Sequence, residues 1–159
     1  MKRLVLLCGV AGSGKSTFIK LHNPYKDAHV LECDLYRKKV TGSFRIMPKD
    51  PYKEVYDVVI DAAKKLYEEN ENINIIIDST FITKARRDYF VSRLPGFNSY
   101  ELYILHTSDP KINLKKNKMR DPEKRVPENV VIDMWNKYEA PDDEERKFYD
   151  VINVIEVTE

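Results

Sequence analysis

Gly9-Val10-Ala11-Gly12-Ser13-Gly14-Lys15-Ser16, followed by Thr17, decides how the rest of the chain is read. It fits G-x-x-x-x-G-K-[ST] without a gap, the spacing of a phosphate-binding loop. Glycines allow backbone angles that turn successive N–H groups inward, forming an anion nest. A helix opening at Lys15 adds its positive end. Lys15 then reaches the β- and γ-phosphates of a nucleotide, and the Ser16 hydroxyl ligates Mg²⁺. Gly9, Gly12, Ser13, Gly14, Lys15, Ser16 and Thr17 are therefore the candidate nucleotide ligands, with ATP and Mg²⁺ the expected cofactors. The flanks agree with this. Leu4 to Cys8 is an unbroken apolar run that predicts a strand buried on both faces, and Lys15 to Leu21 predicts a helix stopped near Pro24.

Further out, the chain alternates between strand and helix signals. Strands are expected at His29 to Cys33, Ile73 to Asp78, Tyr100 to Leu105 and Val151 to Val157. Helices are expected at Asp34 to Val40, Pro51 to Glu69, Lys84 to Arg93, Pro110 to Asn117 and Pro127 to Tyr138. The longest of them carries Val55, Val58, Val59, Ala62, Ala63 and Leu66 on one face. Gly42 to Pro51 reads as a loop. Five strands alternating with helices predict an α/β fold, an open five-stranded parallel sheet flanked by helices. The acidic run Asp142-Asp143-Glu144-Glu145 reads as a solvated helix start.

Composition narrows the functions. The 159 residues fit one domain spanning 1–159, and an apolar fraction of 42% suffices for a single core. With 27 Lys plus Arg against 26 Asp plus Glu, the net charge is +1, so a polyanion needs a local patch. Cys8 and Cys33 make no disulfide framework, and a reducing, cytoplasmic setting is expected. No apolar run approaches the ~20 residues of a membrane span. His22, His29 and His106 lack metal-ligand spacing. Oligomeric state leaves no trace in the sequence.

The loop by itself does not choose among nucleotide-using proteins. A guanine reader needs Asn-Lys-x-Asp, yet Arg120 stands where Asp is required in Asn117-Lys118-Met119-Arg120, and no glycine has Asp three positions before it. A phosphotransferase remains. Such an enzyme needs an acid near the γ-phosphate to orient or deprotonate the acceptor hydroxyl. Asp34 follows the second expected strand, at the carboxyl edge where ligands of parallel sheets sit. Arg37 lies one turn on and suits an anionic part of the acceptor. Read alone, the pair is more simply an N-cap aspartate with a surface arginine. Asp78 ends the third expected strand, a position for an acid that binds Mg²⁺ through water. Its other reading is a cap on the next element. Arg86 and Arg87 open a helix beyond it, for substrate or for salt bridges. Trp135 shares a face with Val131, Met134 and Tyr138 and reads as core.

Gly9 to Thr17, Asp34-Leu35-Tyr36-Arg37, Asp78-Ser79-Thr80 with Arg86-Arg87, and Lys116-Asn117-Lys118-Met119-Arg120 before Val126-Pro127 together resemble the kinase domain of phage-type polynucleotide 5′-hydroxyl kinases. The resemblance runs over roughly residues 1–141. It implies a P-loop kinase fold with a small lid, at about 115–126 here. It also implies that Asp34 is the general base for the 5′-hydroxyl and that Arg37 contacts the phosphate 3′ to the acceptor nucleoside. Thr80 would line the acceptor site, and Arg120 would clamp the donor phosphates. Lys15, Asp34 and Arg120 thus carry the chemistry, and the 5′ end of RNA or DNA is the expected substrate. The wider group of small P-loop kinases, including toxin-like sugar-nucleotide kinases, shares parts of the pattern. A kinase for a nucleoside, nucleotide or sugar nucleotide is therefore the alternative.

Two departures from the pattern stand out. The lid segment is one residue longer before Val126, so Arg125 competes with Arg120. The Asp-x-Asp-Gly-Thr signature of the phosphatase often fused to such kinases is missing, so 5′ phosphorylation without 3′ healing is expected. Lys115, Lys116, Lys118, Arg120, Lys124 and Arg125 make the segment strongly basic, which suits a cover over a nucleotide that excludes water.

Overall fold

The computed structural model describes residues 1–159. Its centre is β1 (Lys2–Gly9), whose apolar run is buried on both faces as a parallel strand between two neighbours requires. One neighbour is β3 (Ile73–Ser79) and the other β4 (Ser99–Thr107), with β2 (His29–Glu32) and β5 (Val151–Val157) at the edges. The order β2-β3-β1-β4-β5 is parallel throughout. The expected open five-stranded parallel sheet is thus what forms. Its chain path reverses at β1, which opens a crevice beyond the carboxyl ends of the central strands.

Side-chain alternation along each strand feeds two apolar layers. Leu4, Leu6, Cys8, Ile75, Ile77, Leu102 and Ile104 face one side. There they meet Val59, Ile60 and Ala63 of α3 (Asp57–Glu69) and Phe90 and Val91 of α4 (Lys84–Ser92). Val5, Leu7, Ile76, Tyr103 and Leu105 face the other side, against Phe18 of α1 (Lys15–Leu21). Each fully buried aliphatic side chain of this kind contributes about 1.5–3 kcal/mol. A smaller group, Val10, Ala11, Ile82 and Val131, packs beneath the glycine-rich loop together with half-buried Trp135. The Trp135 indole N–H donates to the Thr107 carbonyl at 3.2 Å, so the ring is fixed packing material.

Several boundaries differ from the sequence reading. Cys33 already belongs to α2 (Cys33–Thr41), so Asp34 sits inside its first turn and caps nothing; Glu32 occupies the cap position without a side-chain bond. The helix expected to start at Pro51 begins with a π-helical turn, Tyr52–Tyr56, before α3. The remaining helices are α5 (Pro110–Lys118), α6 (Glu128–Lys137) and α7 (Asp143–Phe148), and a 3₁₀ turn at Pro122–Lys124 interrupts the basic segment.

The acidic run needs correction. Asp142 caps α7 through the Glu145 N–H, as a helix start should, but Glu145 is buried rather than solvated. Its carboxylate takes two bonds of 2.8 Å from Arg87, which is itself fully buried and also donates to the carbonyls of Phe81 and Glu139. Phe81 has φ of 46°, unusual for a residue with a side chain, and it directly follows Asp78-Ser79-Thr80. Arg87 therefore fixes the turn that carries those residues to the crevice. A buried pair that loses one partner leaves an uncompensated charge, at a cost of about 3–5 kcal/mol. Arg87→Met should lower unfolding free energy by that amount in urea titration, and Arg87→Met with Glu145→Leu should recover much of it.

Candidate active site

The glycine-rich loop joins β1 to α1 at the carboxyl edge of the sheet. Gly12 and Gly14 have φ of 80° and 94°, angles that curl the loop and that other residues adopt only with strain. Gly12 is doubly constrained, because a Cβ there would strike the backbone carbonyl of Asn113 in α5. The Asn113 amide donates to the Ala11 carbonyl at 3.0 Å, and its oxygen accepts from the Thr107 hydroxyl. The Gly9 N–H bonds the Thr80 carbonyl at 3.1 Å, and the Ser13 N–H bonds the Val10 carbonyl at 3.0 Å. Lys15 Nζ folds back onto the Gly9 carbonyl at 2.7 Å. The Ser13 hydroxyl is buried with no partner, while Ser16 and Thr17 are exposed. A curled loop with a lysine over it and an orphaned hydroxyl in it fits a nucleotide's phosphates.

The loop is one wall of a cleft of about 1680 Å³. Lys15, Ser16, Asp34, Arg37, Asp78, Thr80 and Arg120 all line it, so one cavity collects every site residue expected outside the loop. Arg125 does not line it. That residue is exposed and donates through Nε to the Arg120 carbonyl at 2.9 Å, bracing the segment that carries Arg120. The base of the segment is pinned as well: the Asn117 side chain bonds both the N–H and the carbonyl of Val126, at 3.0 and 2.6 Å.

On the opposite wall, Arg37 forms an ion pair with Asp34 at 2.9 Å and donates to the Phe44 carbonyl at 3.2 Å. Asp34 is exposed, and ion pairs open to water contribute roughly 0–1 kcal/mol. Asp34 can therefore turn to a ligand at small cost, whereas Arg37 is half-buried and held by the Phe44 carbonyl as well.

Asp78 feels several of the cleft's charges at once. Burial pushes its carboxyl up to about 6, with Glu32 and Asp34 raising it further and Lys15 and Arg120 pulling it down. Two like charges and two opposite ones thus act on one carboxyl. Its hard oxygen and the exposed Ser16 hydroxyl suit Mg²⁺, with water and phosphate oxygens completing the shell. No cluster of three or more His, Cys, Asp or Glu could hold a metal unaided.

The sequence reading missed four participants. Glu32 lines the cleft and pairs in register with Asp78, a cross-strand relation invisible before the strands are aligned. Lys116, given no role of its own, brings its ammonium to 3.5 Å from where a Cβ on Gly14 would stand. Asn113 and Asn117 are buried on one face of α5, and two asparagines four apart in an otherwise basic helix were the available signal.

The AAA_33 model, an AAA domain, matches residues 4–141. No curated protein matches the chain. A structure of the Pnkp1/Rnl/Hen1 RNA repair complex superposes with a TM-score of 0.73 at 18% identity, covering 94% of this chain and 46% of that one. This chain therefore spans just under half the length of that relative. A gluconokinase from Sinorhizobium meliloti gives 0.61 at 16% identity, over 98% and 82%. Kti12 of Chaetomium thermophilum, solved with ADP-AlF3, gives 0.64 at 14%, over 96% and 88%. At such identities the likeness is one of fold. No helix is long and apolar enough to cross a membrane.

The raised Asp78 carboxyl generates a pH dependence. Its folded value of about 6 exceeds the ordinary 3.8, so the folded state favours the neutral acid. That contribution is complete below about 4 and is lost as pH rises through about 6, amounting to about 3 kcal/mol at 1.36 kcal/mol per pKa unit. In urea titrations without Mg²⁺ or nucleotide, Asp78→Asn should gain stability relative to wild type between pH 4 and 7.

Proposed function

The chain belongs to the AAA_33 family and is a P-loop domain of the kinase type, and on that premise we propose that it transfers the γ-phosphate of ATP to the 5′-hydroxyl of a polynucleotide. The observation that carries this reading is the meeting of Lys15, Asp78 and Arg120 with the Asp34–Arg37 pair in one cleft. A phosphate-binding loop shares its cleft with an acid and an arginine, groups whose chemistry suits a hydroxyl and a neighbouring phosphate. The structural likeness to a chain of an RNA repair complex supports the same acceptor class.

In this reading the loop N–H groups, Lys15 and Arg120 hold the donor phosphates and stabilise charge that grows on them in the transition state. Mg²⁺, held by the Ser16 hydroxyl and through water by Asp78, would supply further neutralisation of those oxygens. Asp34 accepts the proton of the 5′-hydroxyl as its oxygen bonds to the γ-phosphorus and the bond to ADP breaks. Arg37, planar and always charged, grips the phosphate on the 3′ side of the acceptor nucleoside. Thr80 lines the acceptor wall. Arg120 and the segment around 115–126 cover the donor and limit hydrolysis. A second reading, a kinase for a small metabolite, is favoured by the likeness to a gluconokinase.

Acceptor comparison separates the two. With γ-labelled ATP, a nucleoside 3′-monophosphate should be phosphorylated far better than the plain nucleoside or gluconate, and Arg37→Ala should abolish that preference. A wild type without the preference, or a variant that keeps it, transfers the assignment to the metabolite kinase. Asp34→Asn should lower kcat with every acceptor, by roughly 10²–10⁴-fold.

The two lid arginines give an independent check. Arg120→Ala should reduce transfer by roughly 10²-fold or more, the scale of losing one oriented transition-state donor. Arg125→Ala, which removes only a brace on the Arg120 backbone, should cost much less in kcat under the same assay.

A further inference from the structure

Three cations open α4, and two of them are accounted for. Lys84 pairs with Asp88 at 3.0 Å, and Arg87 with Glu145. Arg86 forms no ion pair, and its Nε is cut off from solvent with no hydrogen-bond partner. Its guanidinium lies over the ring of Tyr56, 5.4 Å from the centroid. No acidic residue occupies the first turn of the helix. This arrangement is costly on two counts: a positive charge at the positive end of a helix is disfavoured, and a buried unpaired N–H forfeits its hydration. An anion arriving from outside would remove both penalties.

The surroundings say where that anion would sit. Tyr56 ends the π-helical turn, against which α2, the helix bearing Arg37, is packed. Tyr56 is almost fully buried, and that burial raises its hydroxyl while the charges of Arg86 and Arg37 oppose the rise. A guanidinium binds phosphate through paired N–H groups, and a phenol adds a third donor.

We propose that Arg86 and the Tyr56 hydroxyl form a second acceptor-phosphate subsite beside Arg37, taking the phosphodiester one linkage further along the polynucleotide. This rests on the polynucleotide reading above. The subsite makes the enzyme sensitive to acceptor length: a mononucleotide ends at Arg37, whereas a trinucleotide reaches Arg86.

The test compares a nucleoside 3′-monophosphate with a 5′-hydroxyl trinucleotide, in wild type, Arg86→Ala, Arg86→Lys and Tyr56→Phe. Arg86→Ala should lower kcat/KM for the trinucleotide about tenfold and for the monophosphate no more than about twofold. Arg86→Lys should fall between, and Tyr56→Phe should cost the trinucleotide about threefold. The Tm of Arg86→Ala should stay level or rise, because a charge unfavourable to the helix start is gone. Equal losses on both acceptors, or none, overturn the subsite and leave the polynucleotide reading standing.

A wild type that phosphorylates neither acceptor overturns that reading and with it the diester assignment. The niche is then judged by inorganic phosphate, in a Lys15→Ala background that disables the donor loop. A phosphate-dependent rise in Tm that Arg86→Ala removes retains it as an anion site for a phosphorylated metabolite. A rise unaffected by Arg86→Ala, or no rise, overturns it.

Discussion

Asn113 holds the glycine-rich loop against α5, and the chemistry of the cleft depends on that contact. A loop curled through Gly12 and Gly14 at positive φ needs its shape held from outside. The buried Asn113 amide takes the Ala11 carbonyl, and the Asn113 backbone closes on Gly12 so tightly that no side chain fits there. Thr107 and Trp135 extend the same network to β4 and α6. One turn along α5, Asn117 grips Val126 and fixes where the basic segment begins and ends. One short helix therefore sets both the donor loop and the arm that carries Arg120.

The opposite wall is held by different physics. Arg87 and Glu145 satisfy each other in a dry environment where neither could remain alone. Through the Phe81 carbonyl they hold a residue at positive φ, and so fix the strand end that presents Asp78 and Thr80. The groups that would face substrate are less tightly held: exposed Asp34 pairs with half-buried Arg37, and Lys15 rests on a loop carbonyl. Fixed scaffold and more loosely held cleft residues are thus separated residue by residue.

Charge within the cleft is mixed, with seven Lys or Arg side chains lining it against five Asp or Glu. Glu32, Asp34 and Asp78 stand against Lys15, Arg37 and Arg120, and the Asp78 carboxyl registers both signs. A nucleotide would add several negative charges to this set, and a divalent cation would offset part of them. The basic stretch from Lys115 to Arg125 supplies four of the seven cations, a local excess in a chain whose net charge is only +1.

The sequence alone determined the phosphate loop, the five strands and their parallel class, because each rests on local pattern. Gly12, Gly14 and Lys15 have a spacing that backbone geometry demands, and strands buried on both faces read as apolar runs. It also picked out Asp34 and Asp78, with Arg37 one turn on, since the ends of parallel strands face one edge, while Arg120 came from the resemblance to polynucleotide kinases. Only the tertiary structure decided between readings that local pattern leaves equal. Arg86 and Arg87 are adjacent and identical in type, yet one is buried against Glu145, 58 positions away, and the other is left unpaired. Arg120 and Arg125 differ only in how the segment folds back on itself. Glu145 in an acidic run and Glu32 at a strand end acquired their surroundings from segments distant in the chain, and burial and partnership of that kind are not encoded in any window of neighbouring residues.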